Sequence, residues 1–226
     1  MNIHFFILNL DRNPERYETM LNMLNTLNCS YSRIQAIDGF NMENNENVKK
    51  LLKPREHLFG QTFKSWDNGE TWQYDGSIQK SFPNLNLNGH HGTKGLTLSN
   101  LLAYKKASEM DSDWFCILED DAEINKNIIS NLLLYVQNYN YLDIILLDSR
   151  NNGFGGTAGM LYNKRIINQL LEDLHPLSEF SINSGNYKNR NNLWDWKFWT
   201  YIEFINTNYS QLPCIDSGKF GSTIDC

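Results

Sequence analysis

The sequence predicts an α/β fold with a parallel-centred sheet, and three observations carry that expectation. Residues 3–10 and 114–118 are short, almost wholly apolar runs, the composition of strands buried on both faces. The first run is followed by an amphipathic helical pattern and then a second strand, the unit that parallel pairing requires. The second run ends abruptly in three carboxylates, Glu119, Asp120 and Asp121. In open α/β sheets, ligands sit just beyond the carboxyl ends of the strands, so this acidic tip falls where chemistry is expected.

Taken in order, residues 3–10 form a central strand. Asn13-Pro14 then signals a helix start, with Asn as cap, Pro at the first helical position and Glu15 in the first turn. Tyr17, Met20, Leu21, Leu24 and Leu27 follow at helical spacing as its buried stripe. Residues 31–37 are the next strand, closed by Asp38-Gly39. The turn Asn9-Leu10-Asp11-Arg12 lies between strand and helix, where free backbone N–H groups and a positive helix end favour an anion. Arg12 and Arg16 either add charge-assisted bonds to a diphosphate or pair on the surface with Glu15 or Glu18. Asp38 is placed to accept a bond from a ribose or base.

Residues 41–53 read as a modest helix or an extended polar segment. From 54 to 88 periodicity is lost, in a stretch that includes Phe59, Phe63, Trp66, Trp72, Tyr74 and Phe82. It reads as an irregular arm over the sheet, its aromatics pinning the loop rather than stacking on sugars. Residues 89–95 form a glycine-punctuated loop before a helical pattern at 96–104, and Lys94 stands there to meet a phosphate or a sugar hydroxyl. His90 and His91, adjacent in sequence, read as loop residues. A helix at 128–139 and a strand at 141–147 ending in Asp148 come after the acidic tip. The glycine-rich loop 152–159 matches neither a P-loop nor a dinucleotide loop. A short strand at 160–162 and a helix at 164–174 follow. Asp195, set among Trp194, Trp196 and Phe198, is a base or metal ligand with a raised pKa, or else a helix cap. The tail 212–224 carries Cys214, Asp216, Lys219 and Ser222 on a short strand and loop.

Composition bounds the function. The 226 residues, 41% hydrophobic and 13% aromatic, suffice for a packed core. We expect a single domain over 1–226 with an irregular insertion around 54–88. A net charge of −6 argues against a nucleic-acid partner, which needs a basic face. No apolar run approaches a membrane span and no leader precedes the first strand, so the expected location is cytoplasmic. Cys29, Cys116, Cys214 and Cys226 form no paired motif and read as isolated thiols, with Cys116 in the core.

The acidic tip has two readings. Two carboxylates about 4 Å apart repel by roughly 4 kcal/mol at an effective dielectric near 20, so a cation or water must offset them. Oxygen-only ligands suit Mg²⁺ or Mn²⁺, ions that hold diphosphates. The alternative makes Asp121 a solvated cap of a helix beginning near Asn125.

The order of motifs resembles glycosyltransferase family 25, which includes lipooligosaccharide and procollagen galactosyltransferases. The matching pieces are Asn9-Leu10-Asp11-Arg12 with Arg16, Ala36-Ile37-Asp38-Gly39, Gly95-Leu96-Thr97-Leu98-Ser99-Asn100, Leu118-Glu119-Asp120-Asp121, Gly156-Thr157 with Met160-Leu161-Tyr162, Asp195, and Gly221-Ser222-Thr223-Ile224. Each is weak alone, and their co-linearity makes the match specific. Two positions depart from the family: Leu96 stands where Cys is usual, and Asn100 where His is usual. Segment 54–88 has no counterpart, which makes acceptor choice the least transferable property.

The resemblance implies a GT-A fold, with a mostly parallel sheet flanked by helices and a nucleotide sugar bound to it. It implies that Asn9, Leu10, Asp11, Arg12, Arg16, Asp38, Lys94, Ser99, Glu119 and Asp120 serve the donor, and that Glu119-Asp120-Asp121 is the metal motif. Strand alternation would put Glu119 and Asp121 on one face and Asp120 on the other, making Asp121 the direct ligand with Glu119 in support. The implied reaction is metal-dependent transfer of galactose or glucose from a UDP-sugar, with Mn²⁺ or Mg²⁺. The implied acceptor is a hydroxyl of a glycan or of hydroxylysine in a collagen-like protein. Inversion at the anomeric centre would make Asp195 the base. The rivals are a catalytically silent nucleotide-sugar-binding module and a sugar-phosphate nucleotidyltransferase. The latter lacks its glycine-rich basic loop after the first strand.

Overall fold

A computed structural model describes residues 1–26, 29–64, 69–85, 89–125, 127, 131–150, 156–184, 194–205 and 207–216, the side chains of 195 and 196 excepted. Strand β1 (Ile3–Asn9) leads through helix α1 (Pro14–Thr26) to β2 (Ser30–Gln35), and β1 and β2 pair in parallel. The polar segment after β2 contains the short helix α2 (Glu46–Leu51), capped by Asn45, whose side chain accepts from the backbone N–H groups of Asn47 and Val48.

The stretch expected to be an irregular arm has order of its own. Strands β3 (Thr62–Lys64) and β4 (Thr71–Gln73) form an antiparallel hairpin flanked by single 3₁₀ turns. Three-residue strands are too short to show alternation, so periodicity missed them. Phe63, Trp72 and Tyr74 pack with Leu58 and Leu177 in a small cluster, the pinning role assigned to these aromatics. Trp66 lies outside the described residues.

Helix α3 (His91–Ser108) corrects the sequence reading, which kept 89–95 as a loop. The glycines are there for close packing. A Cβ on Gly95 would stand 2.4 Å from the Ile37 carbonyl oxygen, and one on Gly39 would stand 1.8 Å from that of His91. The first turns of α3 thus press backbone to backbone against the loop leaving β2.

The remaining elements are β5 (Trp114–Glu119), β6 (Glu123–Ile124), α4 (Leu132–Asn138), β7 (Ile144–Asp148), β8 (Gly159–Asn163), α5 (Ile167–Asp173), α6 (Glu179–Ser184), α7 (Trp194–Phe204) and β9 (Tyr209–Asp216). Seven strands make one sheet in the order β2-β1-β5-β8-β7-β9-β6. β2, β1, β5, β7 and β9 run one way. β8 runs against both its neighbours, and β6 runs against β9. The sheet is therefore parallel-centred but mixed.

Both faces of the sheet are covered, as the apolar runs required. Phe6, Leu8, Phe115 and Ile117 point to the side of α3, α5 and α7. Phe5, Ile7, Cys116 and Leu118 point to the side of Met20 and Leu24 of α1 and of Leu132 and Val136 of α4. Cys29, Cys116 and Cys214 are free thiols. Among the described residues, no helix is long and apolar enough to cross a membrane.

Candidate active site

The carboxyl ends of β1, β2 and β5 converge on a cleft lined by Leu10, Arg12, Asp38, Gly39, Ser99, Glu119 and Asp120, among others. Parallel register explains the convergence. Leu8 of β1 stands beside both Ile34 of β2 and Glu119 of β5, so the turns that follow all open on one side.

Asn9 is fully buried behind the acidic tip and organises it. Its Nδ2 donates to the Asn13 carbonyl (2.8 Å) and to Asp120 Oδ2 (2.7 Å), while its Oδ1 accepts from Arg33 Nε (3.0 Å). Arg16 on α1 donates through Nη1 to Asp120 Oδ1 at 3.4 Å. Burial raises the Asp120 pKa, and Asn9 and Arg16 pull it back. Glu119 accepts from Thr157 Oγ1 at 3.1 Å.

Asp121 departs from the alternation expected of it. β5 ends at Glu119, so Asp120 and Asp121 sit in a turn where strand facing no longer holds. Glu119 and Asp120, not Asp121, line the cleft. Asp121 Oδ1 is buried without a hydrogen-bond partner among the described residues. Burial first, then the charge of Asp120, raises its pKa. No described group of three or more His, Cys, Asp or Glu is arranged to hold a metal by itself. A Mg²⁺- or Mn²⁺-type ion that takes one or two protein carboxylates and fills its shell with phosphate oxygens and water still fits such a tip.

The other expected site residues divide. Arg12 and Asp38 form an ion pair at the cleft, and Asp38 Oδ1 also accepts the backbone N–H of Phe40 at 3.1 Å. Ser99 donates to the Gly95 carbonyl (2.7 Å) and accepts from the Ile37 N–H (2.8 Å), tying α3 to the loop after β2. Asp11 is engaged by Arg33 Nη2 (2.7 Å) and Gln35 Nε2 (2.6 Å) on the β2 side, away from the cleft lining. Those two partners, Gln35 first, lower its pKa. Lys94, expected before a helix and facing phosphate, lies instead within α3, fully buried, its ammonium 6.0 Å from the Phe82 ring centroid. The earlier helix start turns it into the core. Asp195 falls in the first turn of α7 with its side chain outside the described residues, as are Lys219 and the 221–224 motif.

Sequence reasoning read Asp148 as a strand end and Gly156-Thr157 as part of a family motif, and gave neither Asp148 nor Arg150 a place in the site. Asp148 is completely buried at the end of β7. Its carboxylate accepts from the Arg150 backbone N–H (2.9 Å), Arg150 Nε (3.1 Å), Arg150 Nη2 (2.7 Å) and the Ala158 N–H (2.9 Å). Gly156, at φ +87°, leaves room for it: a Cβ there would stand 2.6 Å from Asp148 Oδ2. A usable signal was present, since 144–148 is a second apolar strand ending in an acid.

The model of glycosyltransferase family 25 (LPS biosynthesis protein) matches residues 2–156, more than half of the chain. The chain belongs to glycosyltransferase family 25. This match covers every residue of the cleft and the acidic tip, and stops before α7. No curated protein matches the chain. Among solved structures, a glycosyltransferase involved in the glycosylation of the major capsid of PBCV-1 aligns over 98% of this chain and 96% of its own, with TM-score 0.52 and 10% identity. The glycosyltransferase GlyE of Streptococcus pneumoniae TIGR4 aligns over 94% of this chain and 45% of its own (TM-score 0.45, 10% identity). Mouse xyloside xylosyltransferase 1 aligns over 93% and 72% (TM-score 0.47, 12% identity). The first of these likenesses extends the GT-A-type fold over nearly the whole family 25 chain. Membership makes the protein a glycosyltransferase, with a sugar donor and an acceptor in the general sense.

Proposed function

We propose that this glycosyltransferase moves a hexose, galactose or glucose, from a UDP-sugar to a hydroxyl of a glycan or of hydroxylysine in a collagen-like protein, with inversion. The observation that carries the reading is the acidic tip of β5 at the cleft, with Asp121 Oδ1 buried and without a partner among the described residues. Asp121, supported by Glu119, would hold Mn²⁺ or Mg²⁺. The ion supplies neutralisation of the charge that grows on the departing diphosphate. Asp38 and the Gly39 backbone border the cleft where a nucleoside would lie, and Asn9 and Arg16 keep Asp120 in place along its lining. The acceptor oxygen bonds to the anomeric carbon as the carbon–diphosphate bond breaks, and the acceptor proton passes to a base, for which Asp195 is the candidate.

A panel of UDP-sugars tests this by UDP release, with Mn²⁺ or EDTA and with glycan or collagen-like peptide acceptors. Release that needs both the cation and a UDP-hexose is expected. Turnover of another nucleotide sugar alone, or equal release in EDTA, would count against it. Asp195→Asn should lower turnover while leaving UDP affinity within about twofold. Loss of UDP binding with intact single-turnover transfer would reverse its role.

A further inference from the structure

We propose that a cationic cleft between α2, α3 and α5 is a second ligand site, one that takes the phosphate group of a phosphorylated saccharide. It lies apart from the donor cleft and does not depend on the donor reading above.

The cleft measures about 560 Å³ and carries Lys50, Lys53, Arg55 and Lys105 on its walls, with Glu172 as the acid among them. Such a concentration of positive charge runs against the net charge of −6 of the whole chain. Lys105 is paired with Glu109 at 2.9 Å. Lys50, Lys53 and Arg55 form no ion pair among the described residues. Like charges that share a concave wall repel one another, and an anion held between them removes the repulsion and accepts charge-assisted hydrogen bonds. The planar fork of an arginine matches phosphate geometry in particular.

Solvated surface lysines alone would not account for what lies between them. Leu51, Leu102 and Leu171 make a half-buried apolar floor, suited to the C–H face of a sugar ring. Beside that floor is a fixed donor. His175 is only 7% exposed, yet it borders the cleft. The Leu177 N–H donates to its Nδ1 at 3.0 Å, which places the ring proton on Nε2. Burial, then the charges of Arg55 and Lys197, lowers its pKa from 6.5 to about 3, so the ring is uncharged at neutral pH. Its Nε2–H has no acceptor among the described residues, and an oxyanion in the cleft would supply one.

Helix α3 runs past both sites. Leu96 and Ser99 border the donor cleft, Leu102 and Lys105 border this one, and no described residue borders both. At about 1.5 Å per residue, the two sets stand about 5 to 14 Å apart along the helix axis. The phosphate belongs either to an acceptor glycan or to a free sugar phosphate, and kinetics separates the two.

The test is binding of glucose 6-phosphate, inorganic phosphate and glucose to the whole chain, by calorimetry, with and without saturating UDP and Mn²⁺. Glucose 6-phosphate and phosphate should bind, glucose should not, and UDP should not displace them. Arg55→Ala, and the double variant Lys50→Ala with Lys53→Ala, should each weaken glucose 6-phosphate binding roughly 10-fold, as expected for lost charge-assisted bonds. These side chains are exposed or half-buried, so their removal spares the core, and UDP affinity should stay within about twofold. Glu172→Gln, which removes the acid from the cleft, should tighten binding roughly 2- to 5-fold. The imidazole N–H resonance of His175 should shift as glucose 6-phosphate is added. Equal binding of glucose, displacement by UDP, or no effect of Arg55→Ala and Glu172→Gln would overturn the site. In transfer assays, a raised KM for a phosphorylated glycan in the same variants assigns the site to the acceptor, and an unchanged KM assigns it to a free sugar phosphate.

Discussion

Replacing Asn9 by Asp changes one atom pair at the back of the acidic tip and has a calculable cost. The Asn9 amide nitrogen lies 2.7 Å from Asp120 Oδ2 and 2.8 Å from the Asn13 carbonyl, so the new carboxylate oxygen would face two acceptors. Two full charges 2.7 Å apart repel by about 6 kcal/mol at an effective dielectric of 20. The chain has a cheaper escape, which is to keep one proton on the pair. Holding a proton at pH 7 on a carboxyl of ordinary pKa near 3.9 costs about 4 kcal/mol, since each pH unit is worth about 1.36 kcal/mol. The lesser cost sets the outcome. Asn9→Asp should be destabilised by about 4 kcal/mol at pH 7 and by only about 1.5 kcal/mol at pH 5, because the protonated carboxyl can then donate as the amide did. Urea unfolding of both proteins across pH 5–8 reads this difference. A loss that does not change with pH, or one under about 1 kcal/mol at pH 7, would refute the placement of Asn9 against Asp120.

Asp121→Asn should cut cation-dependent transfer by roughly 100-fold or more, checked by Mn²⁺ titration of UDP release, with full activity in added Mn²⁺ as the contrary result. Gly95→Ala should destabilise by about 1–3 kcal/mol, although Ala favours helix by about 1 kcal/mol, because the added Cβ meets the Ile37 carbonyl oxygen at 2.4 Å; a more stable variant on thermal unfolding would contradict the close approach. Lys197 is buried and, among the described residues, donates to the Leu174 carbonyl at 3.3 Å, and burial lowers its pKa from 10.5 to about 7. Keeping it charged in the fold costs about 5 kcal/mol below pH 7, and the cost disappears as pH rises to about 10.5, because the unfolded chain binds the extra proton in that window. Lys197→Met should therefore be the more stable protein at pH 6, with its advantage shrinking between pH 7 and 10; a constant difference over that range would sink the assignment.

Much of the sheet was legible because its signal is local. Apolar runs at 3–10 and 114–118, the Asn13-Pro14 helix start and the acid at each strand end all lie within a few residues of one another. Lys94 was misplaced because Gly92 and Gly95 read as loop punctuation, when both lie within the first turns of a helix packed against Gly39 and Ile37. That contact spans more than fifty residues of chain, and no window along the sequence contains both partners. The hairpin of β3 and β4 escaped for a different reason: strands of three residues carry too few positions for a period.

By itself, the sequence determined the strand–helix–strand start, the acidic tip after Leu118 and the order of family motifs, since each is written in neighbouring residues. Only the tertiary structure decided which acids face the cleft, because β5 stops at Glu119 and a turn does not keep the facing of a strand. It alone joined Asp148 and Arg150 to Glu119, through the antiparallel β8 that slips between β5 and β7. Hydrogen bonds between strand ends depend on sheet order, and sheet order is a property of the whole chain.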